Sequence, residues 1–173
     1  QLRLFDNAPS GNPSSLGYAR RIANQADVEV APYVGPSFLA PGQRHHVTPT
    51  EFYGGAVSYN EGLTTPLVGR AFVDQGTPHF NVHRGTEAFL DQYRRGTKPG
   101  AKYPIGDGPL SGTLPTFSQA NRAAYNSLQE TGLSSAQALK VIIGTKQQQL
   151  SAGFRGSSQV LRLPSRLPQA GGP

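Results

Sequence analysis

Residues 76–95 read GTPHFNVHRGTEAFLDQYRR, a pattern that predicts a helix. Thr77 is placed to cap it, Pro78 occupies a first-turn position where a missing N–H is tolerated, and Gly96 follows as a stop. His79 and His83 are four positions apart, so a helix projects both imidazoles from one face, about one turn apart. Two imidazoles so placed can hold one metal ion. The chain has 4 histidines, and the other two, His45 and His46, are adjacent in Gln-Arg-His-His-Val-Thr-Pro. A fold that joins these two clusters gathers every imidazole in the chain at one place. The plainer alternative for a pair on a helix is one ring in the core and one on the surface.

The segment holding the adjacent pair, residues 43–48, reads as a short strand. Neighbouring residues on a strand point to opposite sides, so His45 and His46 do not chelate one ion together. One can face a metal while the other faces a substrate or the core. Ahead of this strand lie a loose leader (1–15), a short helix (16–26), a strand interrupted by Pro32 (27–34) and a Gly/Pro loop (35–42). After it, the apolar stretches 52–59 and 63–72 flank the turn Asn60-Glu61-Gly62 and predict two short antiparallel strands or a looped ribbon. Gly85 inside the histidine helix is a weakness worth ~1 kcal/mol.

A Gly/Pro/Lys loop (96–115) leads to a helix over 117–131, capped by Thr116 or Ser118 and stopped by Gly132. A second helix starts at Ser134 or Ser135, with Leu139, Ile142, Ile143 and Leu150 as its apolar stripe. This gives an α+β domain over 16–152, with a helical hairpin at 117–151. Residues 153–173, which carry Arg155, Arg162 and Arg166, are expected to form a flexible basic tail.

Composition narrows the chemistry. The 21 glycines and 15 prolines in 173 residues predict short elements and long loops. With 0 cysteines, disulfides, thiolate nucleophiles and cysteine-based zinc sites are excluded. No apolar run nears the roughly 18 residues of a membrane-crossing helix, so no membrane insertion is expected. The absence of methionine predicts a piece cut from a larger precursor. A net charge of +6 points to an anionic partner. Phosphate-binding loops of the GxxxxGK[ST] type and GxSxG elbows are missing.

A strand bearing His-His, an intervening ribbon and a helix with histidines at two positions resemble the His-Me finger nucleases, the HNH superfamily with a ββα-metal core. Residues 41–95 carry the resemblance. Arg-His-His-Val-Thr-Pro and Pro-His-Phe-Asn-Val-His are most similar to the AHH, GHH and WHH toxin nucleases, which form C-terminal domains of bacterial polymorphic toxins. The residue before the pair is Arg44 rather than Ala, Gly or Trp, and the stretch from His46 to His79 implies an insertion. The resemblance implies His46 as general base and His45, His79 and His83 as metal ligands. It implies Asn60 as the residue orienting the base, with Asn81 as the competitor.

The implied activity is metal-dependent hydrolysis of phosphodiester bonds, with DNA preferred to RNA. A neutral imidazole can accept a proton from water near neutral pH. Histidine ligands favour Zn²⁺ or Ni²⁺, with Mg²⁺ or Mn²⁺ as alternatives. Arg44, Arg84, Arg94 and Arg95, with Lys98 and Lys102 beyond them, are candidate phosphate contacts. Glu51, Glu61, Asp74, Glu87 and Asp91 are candidates to orient a histidine N–H. The resemblance further implies secretion within a larger bacterial toxin, delivery to a target-cell cytoplasm, and an acidic immunity protein as partner.

Two other classes remain open on the residues alone. His79-Phe80-Asn81-Val82-His83 has the histidine spacing of a zinc metallohydrolase acting on peptide or cell-wall bonds, but Phe80 where the zincin motif carries glutamate. A non-enzymatic basic module would bind an acidic partner and need no metal.

Overall fold

Strand β2 (Gln43–His46) pairs antiparallel with β3 (Leu63–Leu67), His45 opposite Thr65 and His46 opposite Thr64. The structure, a computed structural model, describes residues 27–33, 43–96 and 107–165. The two-residue strand β1 (Ala31–Pro32) adds to the other edge of β3, giving the order β1-β3-β2. Three helices follow, α1 (Pro78–Asp91), α2 (Phe117–Gln129) and α3 (Ser135–Ser151). The described residues thus form an α+β fold, and none of their helices is long and apolar enough to cross a membrane.

Pro66 lies in the middle strand of the sheet without breaking it. The Val47 N–H donates to the Leu63 carbonyl at 3.1 Å, so the bonded pairs in this ladder alternate from there. Pro66 then falls opposite Arg44 in a non-bonded pair. Its nitrogen faces the β1 side, where β1 reaches only as far as Leu63 and Thr64.

The sheet face bearing Val47 and Leu67 packs on Val82 of α1, Leu128 of α2, and Ala138, Val141 and Ile142 of α3. His45 belongs to that same face, because strand side chains alternate. A second cluster gathers Phe52, Tyr53, Val57, Leu90, Phe117, Ala120 and Val160. A buried amide pair, Asn121 with Gln149, bonds in both directions at 2.9 Å and ties α2 to α3. Both helices begin with capping boxes, Thr116 with Gln119 and Ser134 with Gln137.

Several expectations need correction. Residues 52–59 do not form a strand; Phe52 and Tyr53 belong to a single 3-10 turn, Thr50–Tyr53, that buries both rings. The strand expected over 27–34 shrinks to Ala31–Pro32, since Pro32 has no N–H with which to extend the ladder. The histidine helix ends at Asp91 rather than at Gly96. Beyond it, Arg94 turns back to pair with Glu87 and Asp91 and to reach the Pro164 carbonyl. Leu150 is 62% exposed and leaves the α3 stripe, where Thr145 and Gln149 are buried instead.

Residues 153–165 do not hang free as a tail. The carbonyls of Ser158 and Gly156 accept from the Phe117 and Ser118 N–H groups, which open α2 and have no partner within it. Val160 is buried, and Phe154 lies 5.0 Å from the Phe117 ring. Gly85 is a contact rather than a flaw: a Cβ there would come within 2.3 Å of Ser127 Oγ. The leader, the helix expected over 16–26, the 35–42 loop, Lys98, Lys102 and residues 166–173 lie outside the described residues.

Candidate metal centre

Three histidines, one from β2 and two from α1, bring their rings together. His45 Nδ1 lies 3.2 Å from His83 Nε2, which lies 3.3 Å from His79 Nε2. One ligand nitrogen from each of the three falls within 4.8 Å of the others, close enough for one metal ion. His79 and His83 share a helix face, and strand alternation turns His45 toward that face.

The donor set fits a cation. Neighbouring ligands of a tetrahedral site with Zn–N bonds of about 2.0–2.1 Å stand about 3.3 Å apart. The Gly69 carbonyl accepts from His79 Nδ1 at 3.1 Å, which fixes that tautomer and leaves a lone pair on Nε2. His83 Nε2 carries at most one hydrogen but faces two nitrogens. A cation satisfies all three lone pairs together, and a single proton does not.

The rings are held neutral. Burial, then the charges of His83, His79 and His46, put the His45 pKa well below the usual histidine value. Burial, then His79 and His46, lower His83 to about 4. Burial also lowers His79, partly offset by the Gly69 carbonyl. Neutral imidazoles are the form that binds metal, so near neutral pH little proton release accompanies binding.

His46 is not a member of this cluster. It faces the opposite side of β2, stacked on Tyr33 at 5.1 Å and 16° and close to the Tyr59 ring at 4.4 Å. Its Nε2 donates to the Tyr59 carbonyl at 2.9 Å, which leaves the lone pair on Nδ1. Expectation placed Asn60 on this ring. Asn60 is exposed, and among the described residues the group found there is the main chain of its neighbour. Asn81 instead bonds the Gly76 carbonyl at 3.2 Å, away from His46. No sequence signal marks a main-chain carbonyl as a ring partner.

The four arginines divide. Arg44 is partly buried, pairs with Glu29 and donates to Thr64 Oγ1 at 3.0 Å, so its charge is balanced inside the domain. Arg94 is buried against Glu87 and Asp91. Neither stands open to a phosphate as expected. Arg84 and Arg95 are exposed; Arg84 shares a groove between α1 and α2 with Arg122, a residue the sequence reading passed over. Of the acids expected to orient a histidine, Glu61 bonds Ser58 and Asp74 bonds Arg70.

One buried hydroxyl near the centre was also passed over. Thr65 Oγ1, on the residue directly opposite His45, is fully buried with no hydrogen-bond partner. Cross-strand partners share a face, which puts this hydroxyl on the His45 side of the sheet. Comparison with protein-family models, with characterised proteins and with solved structures finds no match to this chain.

Proposed function

We propose that this domain is a metal-dependent endonuclease of the His-Me finger type that hydrolyses phosphodiester bonds, with DNA as substrate ahead of RNA. The observation that carries the reading is the convergence of His45, His79 and His83 on one cation-sized gap. The order of elements supports it: a strand ending in His-His, an antiparallel strand, then a helix bearing two histidines on one face.

When bound, a divalent cation polarises the scissile phosphate and neutralises charge on the departing 3′ oxygen. Three nitrogen ligands favour Zn²⁺ or Ni²⁺ over Mg²⁺ or Mn²⁺. His45, His79 and His83 hold it. His46 Nδ1 takes a proton from the attacking water, while the Tyr59 carbonyl keeps the ring in place and steadies the N–H of the resulting imidazolium. Arg84 and Arg95 remain as the exposed phosphate contacts.

The same reading makes the domain the active tip of a secreted bacterial toxin, delivered into a target cell and restrained in its producer by an acidic immunity protein. The net charge of +6 supports both an anionic substrate and an acidic inhibitor.

Plasmid nicking tests the mechanism. Wild type cuts when Zn²⁺ or Ni²⁺ is supplied, chelator abolishes cutting, and His46→Ala slows it by roughly 10²–10⁴-fold. Cutting that survives both chelator and His46→Ala overturns the proposal.

A further inference from the structure

Among the described residues the exposed large aromatic side chains are Tyr33 at 38%, Tyr59 at 56% and Phe72 at 38%. All three lie against a histidine that the proposed mechanism uses. Tyr33 and Tyr59 flank His46, and the Phe72 ring is 5.1 Å from His83. The other described phenylalanines and tyrosines are buried or partly covered. Phe72 also stands beside Val73, which is 60% exposed, with Val68 of the same loop 58% exposed. Exposed aromatic area is thus concentrated beside the candidate metal ligand His83 and beside the proposed base His46, in a chain of net charge +6.

Proteins hold unpaired nucleotides by combining positive charge, which tracks the phosphates, with exposed aromatic rings, whose faces take the bases. We propose that the centre receives an unpaired segment of nucleic acid, with bases stacked on Phe72 on one side and on Tyr33 and Tyr59 on the other. This rests on the phosphodiesterase reading and specifies its substrate. In a duplex each base already lies between its neighbours, so a ring on the protein reaches a base face only where the strand is open. The two groups of rings lie on opposite sides of β2, as His45 and His46 do, so an open strand crossing between them brings a phosphate to the metal ligands.

Fluorescence anisotropy provides the test. The probe is a labelled thymidine oligomer of about 15 nucleotides, within the span one such groove covers. An abasic strand and a duplex of the same length are compared, all in chelator so that nothing is cut. The thymidine strand is expected to bind about tenfold or more tighter than either. Phe72→Ala and Tyr59→Ala each weaken it by roughly fivefold to a hundredfold, the range measured for loss of one base–ring stack. Phe72→Trp restores binding, which a merely structural role for the ring would not predict. Equal affinity for thymidine and abasic strands, or alanine variants that bind like wild type, overturns the inference. His46-dependent plasmid cutting combined with equal affinities removes the stacking surface and leaves the hydrolysis; base-dependent binding with no cutting of any substrate does the reverse.

Discussion

His45 Nδ1 and His83 Nε2 lie 3.2 Å apart, although 38 positions separate them in the chain. A strand and a helix meet at this contact, and His79 completes it from one turn away.

Metal occupancy should therefore be measurable as stability. About one equivalent of Zn²⁺ is expected to bind, and at a free concentration a thousandfold above Kd it adds about 4 kcal/mol. For a domain of this size that raises Tm on the order of 10 °C. His83→Ala removes most of the shift, because it takes away the nitrogen that the other two approach. Calorimetry with and without Zn²⁺ checks this, and an unchanged Tm at saturating metal contradicts the centre.

Acid should weaken the metal-free domain. Histidines in the unfolded chain take up protons near 6.5, whereas folded His83 does so at about 4 and folded His45 well below 6.5. Below pH 6.5 the unfolded state thus binds more protons than the folded state. The stability contribution is complete above 6.5 and is lost as the pH falls toward 4. Each ring that must gain its proton by unfolding contributes a slope of about 1.4 kcal/mol per pH unit. Urea unfolding at pH 7, 5.5 and 4.5 reads the slope; a flat profile would mean that the rings are not buried in neutral form.

Gly69→Ala should damage the centre without touching a ligand. Gly69 has φ +96°, and a Cβ there would fall 2.1 Å from Thr77 Oγ1. Relieving that clash moves the carbonyl that orients His79, a kind of loss that costs about 10–100-fold in metal affinity. Arg70→Ala, which breaks only an exposed ion pair in the same loop, is the control and is expected to change affinity little. Competition titration against a zinc indicator distinguishes the two.

Gly85→Ala should destabilise the fold even though alanine favours helix by ~1 kcal/mol. The added methyl meets Ser127 Oγ at 2.3 Å and Ser127 Cβ at 3.0 Å, and overpacking of this kind costs about 1–3 kcal/mol. Adding Ser127→Ala removes the first contact and leaves the second, so only part of the loss returns. Denaturant midpoints of the single and double variants measure both steps.

The parts of the site that could be read in advance follow from local periodicity. The spacing of His79 and His83 gave one face of a helix, and strand alternation separated His45 from His46. The helix caps were local too, with Thr116 chosen over Ser118 and Ser134 over Ser135. What could not be read depended on partners distant in sequence. Arg44 looked like a surface cation because Glu29, its partner, lies far back in the chain. Phe52 and Tyr53 are as apolar as strand residues, and only their packing against Phe117 and Phe154 makes the tight turn favourable. Val160 stands beside Leu161 in a Gly/Ser/Pro-rich stretch without periodicity, and nothing local marks the first for burial and the second, 56% exposed, for the surface.

One peptide bond joins His45 to His46, yet their imidazoles face different surroundings: one a nitrogen-lined recess, the other a tyrosine-walled opening. Either side chain can be exchanged without crowding the other. In the proposed mechanism, a loss of ion binding and a loss of proton transfer would therefore be separable lesions at consecutive positions, and a variant that kept the ion-binding nitrogens but had no base would be a folded, inert decoy of the domain.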